Sequence, residues 1–433
     1  MRITRKAAGA AAATATVALV LTACSGGDTG SDDGEAGDVT LNVAWWGNDD
    51  RADKYEESIA LFEEANPNIT VQRQFQAWDD YWTARNTEAA GQALPDVFQM
   101  DLSYLRQYGG TGQLADLSDQ VGSAIDTSGF EEALLEAGQI DGAQYGIPTS
   151  QNTLAMFYNG DVLEQIGVEP LEEGYTWEDF NAFIAEASEA GDGEDPAIYG
   201  SGDYTGTFWF FAQWLIQQGV QPFTEDGQLN FDESHATEFL NLASDLREAG
   251  QLFPTDRATQ LAPLSGFTSN EVAAEASWDN FLAGYVSDAG TENIHMLPMP
   301  SGANGPQQFW KPSMLLSSSA NSDHPEEAAA LISFLVNDPE VGEIFGTSKG
   351  VPAVAAQRDA MNVEEGSIDA TVLAYEESVA PDVTETAPLP VEGFGSIEAE
   401  WMRLAEELGY GNITVDQFVE QWFAAAADTV GQS

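Results

Sequence analysis

Residues 39–47, Val-Thr-Leu-Asn-Val-Ala-Trp-Trp-Gly, constrain the chain more than any other stretch. Leu41 and Val43 alternate with polar neighbours, the period-two mark of a strand with one buried face. Beyond Gly47, Tyr55, Ile59 and Phe62 recur at helical spacing. Asn66-Pro67 stops that helix, because the residue before a proline avoids the α region. Ile69 and Val71 open a second strand. Residues 39–75 therefore form a β-α-β unit, which calls for a parallel sheet with helices laid on it. The first strand ends on two tryptophans whose side chains point to opposite faces. One indole suits the core. The other stands at the strand's carboxyl end, where open α/β sheets take ligands.

The rest of the chain continues the alternation. A helix is expected over about 79–91 and a third strand over 95–101, with Asp101 at its end, followed by a short helix over 102–108. Extended segments follow at 145–148 and 153–159. Thr176, with Asp179 three residues on, reads as a capping-box start for a helix striped by Phe180, Ile184 and Ala187. Residues 208–218 are aromatic-rich and helical, and Asp226-Gly227 turns a small hairpin. Phe239, Ala243 and Leu246 mark one helix closed by Gly250. Residues 273–278 and 313–318 read as strands, and 325–336 as a helix with proline in its first turn. The last hundred residues are mostly helical.

The leader precedes all of this. Arg2, Arg5 and Lys6 come before an apolar, alanine-rich run over 7–21, too short for a convincing membrane span. Leu21-Thr22-Ala23-Cys24 resembles the lipobox of bacterial lipoproteins, whose cysteine is lipidated and becomes the first mature residue; a plain secretory signal is the alternative. Residues 1–23 are thus a signal peptide and 24–38 a lipidated cysteine with a Gly/Asp/Ser-rich tether of about 20 Å. The expected location is extracytoplasmic, anchored to the cell membrane through Cys24.

With Cys24 lipidated no other cysteine remains, which excludes disulfides and thiolate metal sites. His235, His295 and His324 have no metal-ligand spacing, so no metal or cofactor is expected. The net charge of −58 is spread along the chain, and no basic cluster suits a phosphate backbone; nucleic acid is excluded. The same field disfavours an acidic ligand unless a local arginine overrides it.

Two motifs mislead. Gly346-Thr347-Ser348-Lys349-Gly350 matches G-x-S-x-G, but a helix precedes it and Val351-Pro352 follows, where a nucleophile elbow needs strand, turn and helix. Residues 110–115 match a loose dinucleotide fingerprint but follow a helix. Among 72 acidic residues nothing singles out a glycosidase pair.

Taken in order, Trp45-Trp46-Gly47, residues 61–69 (Leu-Phe-Glu-Glu-Ala-Asn-Pro-Asn-Ile), Leu94-Pro95-Asp96-Val97 with Asp101, and Tyr145-Gly146-Ile147-Pro148 form one series. Phe157-Tyr158-Asn159, the start at 175–180, Leu297-Pro298-Met299-Pro300 and Gly350-Val351-Pro352 continue it. Behind a lipobox, this series resembles the extracellular solute-binding proteins of carbohydrate ABC importers, the family that includes maltose-binding protein. The resemblance implies an α/β, two-lobed periplasmic-binding-protein-like fold with a ligand cleft between the lobes and hinge crossings. One lobe would hold 39–150 and 313–347, the other 151–312 and 348–433.

It also implies the function: a neutral mono- or oligosaccharide is captured by lobe closure and delivered to separate membrane permease subunits, with no bond broken. The alternative class is a secreted glycan-degrading enzyme, a glycoside hydrolase or lyase. By matching position, the implied sugar contacts are Trp46, Gln76, Trp78 and Asp101 in the first lobe, and Ser150, Gln151 and Asn152 at the crossing. In the second lobe they are Trp209, Trp278, Asp279 and Asn280, with Trp310 where many relatives carry glycines and Lys311 beside it. The physical case is separate. Paired sugar hydroxyls meet carboxylates and amides, and C–H faces lie flat on indoles. Trp401 and Trp422 read as packing.

Overall fold

The computed structural model describes residues 37–224 and 226–430, without the side chains of Thr384 and Glu385. The leader, Cys24 and the tether to residue 36 lie outside the described residues. The opening strand, Val39–Trp46, pairs in parallel with Ile69–Gln76 over its whole length and with Val97–Met100 at Val43 and Ala44. The helix between them, Asp49–Ala65, is capped by Asn48, whose side chain accepts from the Arg51 amide, and buries Tyr55, Ile59 and Phe62 as the spacing predicts.

A larger sheet grows from this unit. Its order is Val351–Pro352, Ile147–Asn152, Gln308–Ser318, Val97–Met100, Val39–Trp46, Ile69–Gln76, with Val383–Thr386 paired to the start of Gln308–Ser318. A second, three-stranded antiparallel sheet places Leu154–Asn159 between Ala274–Trp278 and Ile294–Leu297. The two sheets are the frames of two lobes.

One residue separates them in the chain. Asn152 pairs with Lys311 in the large sheet, and Leu154 pairs with Trp278 in the small one. Between them, the Thr153 hydroxyl donates to Phe309 O (2.9 Å), and the Gln308 amide donates to Thr153 Oγ1 (3.0 Å) and Leu154 O (2.6 Å). Two crossing strands therefore run side by side, stitched together by buried hydrogen bonds.

Several expectations are met in detail. Thr176 and Asp179 form the capping box, Phe208–Gln217 is a helix, and Gly250 ends its helix at φ 67°. Two differ. The strand expected over 313–318 begins at Gln308, because Pro312 lies inside it where the register shifts and the amide is not needed for the ladder. The single helix through Phe239 and Leu246 is two, Glu233–Asn241 and Ser244–Ala249, broken at Leu242–Ala243. Trp401 and Trp422 are fully buried, their indole N–H groups donating to Thr205 O and Ile397 O.

Candidate functional site

The adjacent tryptophans divide their roles as the strand pleat requires. Trp45 is buried beneath the sheet and stacks on Tyr55 with ring centroids 4.5 Å apart. Trp46 turns to the opposite face and lines a cavity of about 700 Å³. That cavity lies at the carboxyl ends of Val39–Trp46 and Val97–Met100, and the second lobe supplies its far wall.

Helix Trp78–Ala90 delivers Trp78 and, four residues later on the same face, Trp82. Trp46 meets Trp78 edge-on at 5.1 Å, and Tyr104 stacks on Trp82 at 3.6 Å. From the other lobe, Trp209 on its helix and Trp278 at the end of its strand meet edge-on at 6.1 Å. Both lobes thus present indole faces to one space.

The polar groups are as ordered as the rings. Asp101 accepts the Ser103 amide at 2.8 Å through one oxygen, starting helix Leu102–Gly110, and the Lys311 ammonium at 2.9 Å through the other. Both members of this pair are buried. The Lys311 ammonium also lies 5.3 Å from the Trp278 ring centre and 5.8 Å from that of Trp209, so it links the lobes by charge and by cation–π contact. Asn152 donates to Asn280 Oδ1 at 3.1 Å, joining the crossing strand to the second lobe. Burial, then the neighbouring Asp101, pushes the Glu398 carboxyl up to about 7; Ser103, Lys311 and Trp209 pull the other way. Two polar atoms of cavity-lining residues, Trp82 Nε1 and Asn152 Oδ1, are buried without a partner among the described residues.

Of the residues expected from sequence, Trp46, Trp78, Asp101, Asn152, Trp209, Trp278 and Asn280 are brought together on this cavity, with Lys311. Five lie elsewhere. Gln76 ends its strand beside Trp46 but does not line the cavity. Ser150 is buried, donating to Lys349 O at 3.0 Å. Asp279 turns inward and accepts the Thr153 amide at 3.0 Å. Gln151 and Trp310 line a separate cavity of about 380 Å³, where Gln151 donates to Glu376 at 3.1 Å. Strand alternation explains the split: Gln151 and Asn152 are neighbours with opposite side-chain directions, as are Trp310 and Lys311.

Sequence reasoning missed Arg51, Trp82, Tyr104, Phe281 and Glu398, all on the cavity wall. Trp82 was legible from its spacing to Trp78. Glu398 carried no local signal, because helix Phe394–Gly409 reaches the site only through tertiary packing. Among the described residues no cluster of His, Cys, Asp and Glu could hold a metal ion.

A family model described as bacterial extracellular solute-binding protein matches residues 57–366. This chain belongs to that family. As a member it is an extracytoplasmic binding protein; among the described residues no helix is long and apolar enough to cross a membrane. An arabinooligosaccharide-binding protein of Halalkalibacterium halodurans is 26% identical over 223 residues, 50% of this chain and 48% of the relative. The diacetylchitobiose binding protein DasA of Streptomyces coelicolor is 29% identical over 215 residues, 48% of each chain. An ABC substrate-binding protein from Listeria monocytogenes, solved in complex with cycloalternan, superposes with a TM-score of 0.75 at 19% identity, covering 91% of this chain and 99% of that one. The fold is the two-lobed one of these binding proteins.

Proposed function

We propose that this chain captures an oligosaccharide in the 700 Å³ cavity and delivers it to the permease of an ABC importer. The observation that carries this reading is the pairing of indole faces from both lobes, Trp46 and Trp78 opposite Trp209 and Trp278, around Asp101, Asn152 and Asn280. Flat apolar rings beside amides and carboxylates suit sugar rings, whose C–H faces and paired hydroxyls need both. The sugar rings seated among the indoles are neutral. The ligands named for the relatives, arabinooligosaccharide, diacetylchitobiose and cycloalternan, are of the same class.

In this reading the lobes comprise 39–150 with 313–347 and 151–312 with 348–433, the large sheet reaching past these bounds through residues 151–152, 308–312, 351–352 and 383–386, and Cys24 carries the lipid that holds the chain at the membrane. A ligand touching both lobes stabilises their closed arrangement by its differential affinity for it. The test is a thermal-shift panel of residues 25–433 against mono- and oligosaccharides, with chromatography of each sugar afterwards. A bound sugar at 100 times its dissociation constant stabilises the fold by roughly 2.7 kcal/mol and is recovered intact. Recovery of cleaved sugar would favour a glycan-degrading enzyme, and no shift across the panel would remove the carbohydrate assignment.

A further inference from the structure

The crossing at Thr153 is gripped by a pair of buried acids. The Thr153 amide donates to Asp279 Oδ2, and the Asp279 amide donates to Thr153 O, both at 3.0 Å. Helix Ile368–Val379 meets the same crossing. Its Tyr375 hydroxyl donates to Leu154 O at 2.5 Å, and its Glu376 accepts the Gln151 amide at 3.1 Å. Two successive residues of one helix thus hold the chain on both sides of Thr153.

The Asp279 and Glu376 carboxyls lie within hydrogen-bonding reach of each other, and both are buried. Each spends one oxygen on the crossing, Asp279 Oδ2 on Thr153 and Glu376 Oε2 on Gln151. The remaining oxygens, Asp279 Oδ1 and Glu376 Oε1, are buried without a hydrogen-bond partner among the described residues. Two ionised carboxylates repel at such range away from water, whereas a carboxyl and a carboxylate joined by one proton make a short, strong bond. Burial raises both groups, and the Asp279 charge raises Glu376 further.

The surrounding charges are occupied or distant from the pair. Arg358 donates to Pro352 O (2.7 Å) and Ala353 O (3.0 Å) and acts on Glu376 less than burial or Asp279 does. Lys311, on the companion crossing strand, is held by Asp101 at 2.9 Å, and Glu275 accepts the Tyr285 hydroxyl at 2.5 Å. Glu131 and Glu377 are exposed on the separate 380 Å³ cavity.

We infer that Asp279 and Glu376 share one proton that latches the crossing, and that its loss loosens the hinge and weakens the hold on sugar. Both are positioning residues, since neither lines the aromatic cavity, whereas Trp278 and Asn280 on either side of Asp279 do. When the proton leaves, the two carboxylates repel, and Asp279 carries those neighbours with it. Apparent affinity then falls with the fraction of chains still latched. The latched state holds the proton more tightly than the released one, so the latch is complete in acid and is lost as pH rises. Its effect on sugar rests on the oligosaccharide reading above; the latch itself does not.

The test compares residues 25–433 as wild type, Glu376→Gln and Asp279→Asn, each variant checked for folding by circular dichroism. Both changes set an amide donor against the remaining carboxylate with no proton to lose. Hydrogen–deuterium exchange at the Thr153 amide, corrected for its intrinsic rate, reads the latch without sugar. Wild-type protection is expected to fall about tenfold or more from about pH 6 to about pH 9 and to stay level in the variants. Calorimetry with a bound oligosaccharide reads the consequence. The ratio of variant to wild-type affinity is expected near one at about pH 6 and at about tenfold at about pH 9. The ratio cancels the titration of Glu398, which all three chains share. A merely structural role would change affinity by the same factor at every pH. Wild-type protection that ignores pH, or falls equally in the variants, would overturn the inference, as would a constant affinity ratio. Release of Thr153 at high pH with no oligosaccharide bound at any pH would remove the oligosaccharide reading and leave the latch standing.

Discussion

Lys311 and Asp101 hold an ion pair in which one partner starts a helix of the first lobe and the other lies on a crossing strand. A buried pair is strongly destabilised when one member is removed, because a charge is left behind. Lys311→Met should therefore lower the unfolding free energy by about 3–5 kcal/mol in urea denaturation, and adding Asp101→Asn should restore much of it. A loss under 1 kcal/mol for the single change would mean that water reaches Asp101 freely.

Three other buried groups set a pH dependence whose sign can be worked out. Glu398, with an ordinary value of 4.5, holds its proton up to about 7 in the folded chain, and Asp279, beside the buried Glu376, is raised above its ordinary 3.8, both chiefly through burial. Between those limits the folded state binds more protons than the unfolded one, so their contribution falls as pH rises towards 7. Lys349 runs the other way: its folded value is about 7 against an ordinary 10.5, so its contribution rises above 7. Together these groups predict a stability minimum near neutrality between pH 5 and 9. Glu398→Gln should flatten the acid limb and Lys349→Met the alkaline one. Denaturation midpoints rising steadily through pH 7 would contradict the assignment.

At the scale of elements, helix Phe394–Gly409 closes the cavity by direct contact with the first lobe. Gly395 lies so close under the Tyr104 ring that an added Cβ would overlap it, and Arg106 donates to Pro390 O at 2.9 Å beside this contact. Gly395→Val should push the helix away from Tyr104 and weaken sugar binding about tenfold or more while the chain stays folded, read by titration calorimetry alongside circular dichroism. Unchanged affinity would show that this wall does not shape the site.

These elements also mark the limit of what the sequence discloses. Period-two and helical spacing locate Val39–Trp46, Asp49–Ala65 and Ile69–Gln76, because each pattern is set by one buried face. Strand ends next to tryptophan pointed to Trp46 and Trp278. Direction at the crossings was not legible: a one-residue difference in strand phase sends Gln151 away from the cavity and Asn152 into it. Nor was Glu398, which meets Asp101 across nearly three hundred residues of chain, through packing that no local pattern encodes.

For the whole molecule, the proposed function makes the two crossings a hinge and the aromatic cavity the place where a sugar joins the lobes. The stitched strands at Thr153 and Gln308 leave little chain between the two sheets, so the proposed closure would be rotation about a short segment. A ligand held between lobes must depend on both walls at once. Trp78 and Trp278 are half-buried, one on each wall, Trp78 against Trp46, Trp82 and Tyr104 and Trp278 against Trp209 and Phe309. The deciding measurement is calorimetric titration of one oligosaccharide, recovered intact, into the wild-type chain, Trp78→Ala and Trp278→Ala. One site per chain is expected, weakened by about 1–3 kcal/mol in each variant at a temperature where circular dichroism shows each variant folded. Wild-type affinity in both variants would place the sugar outside this cavity and contradict the central claim.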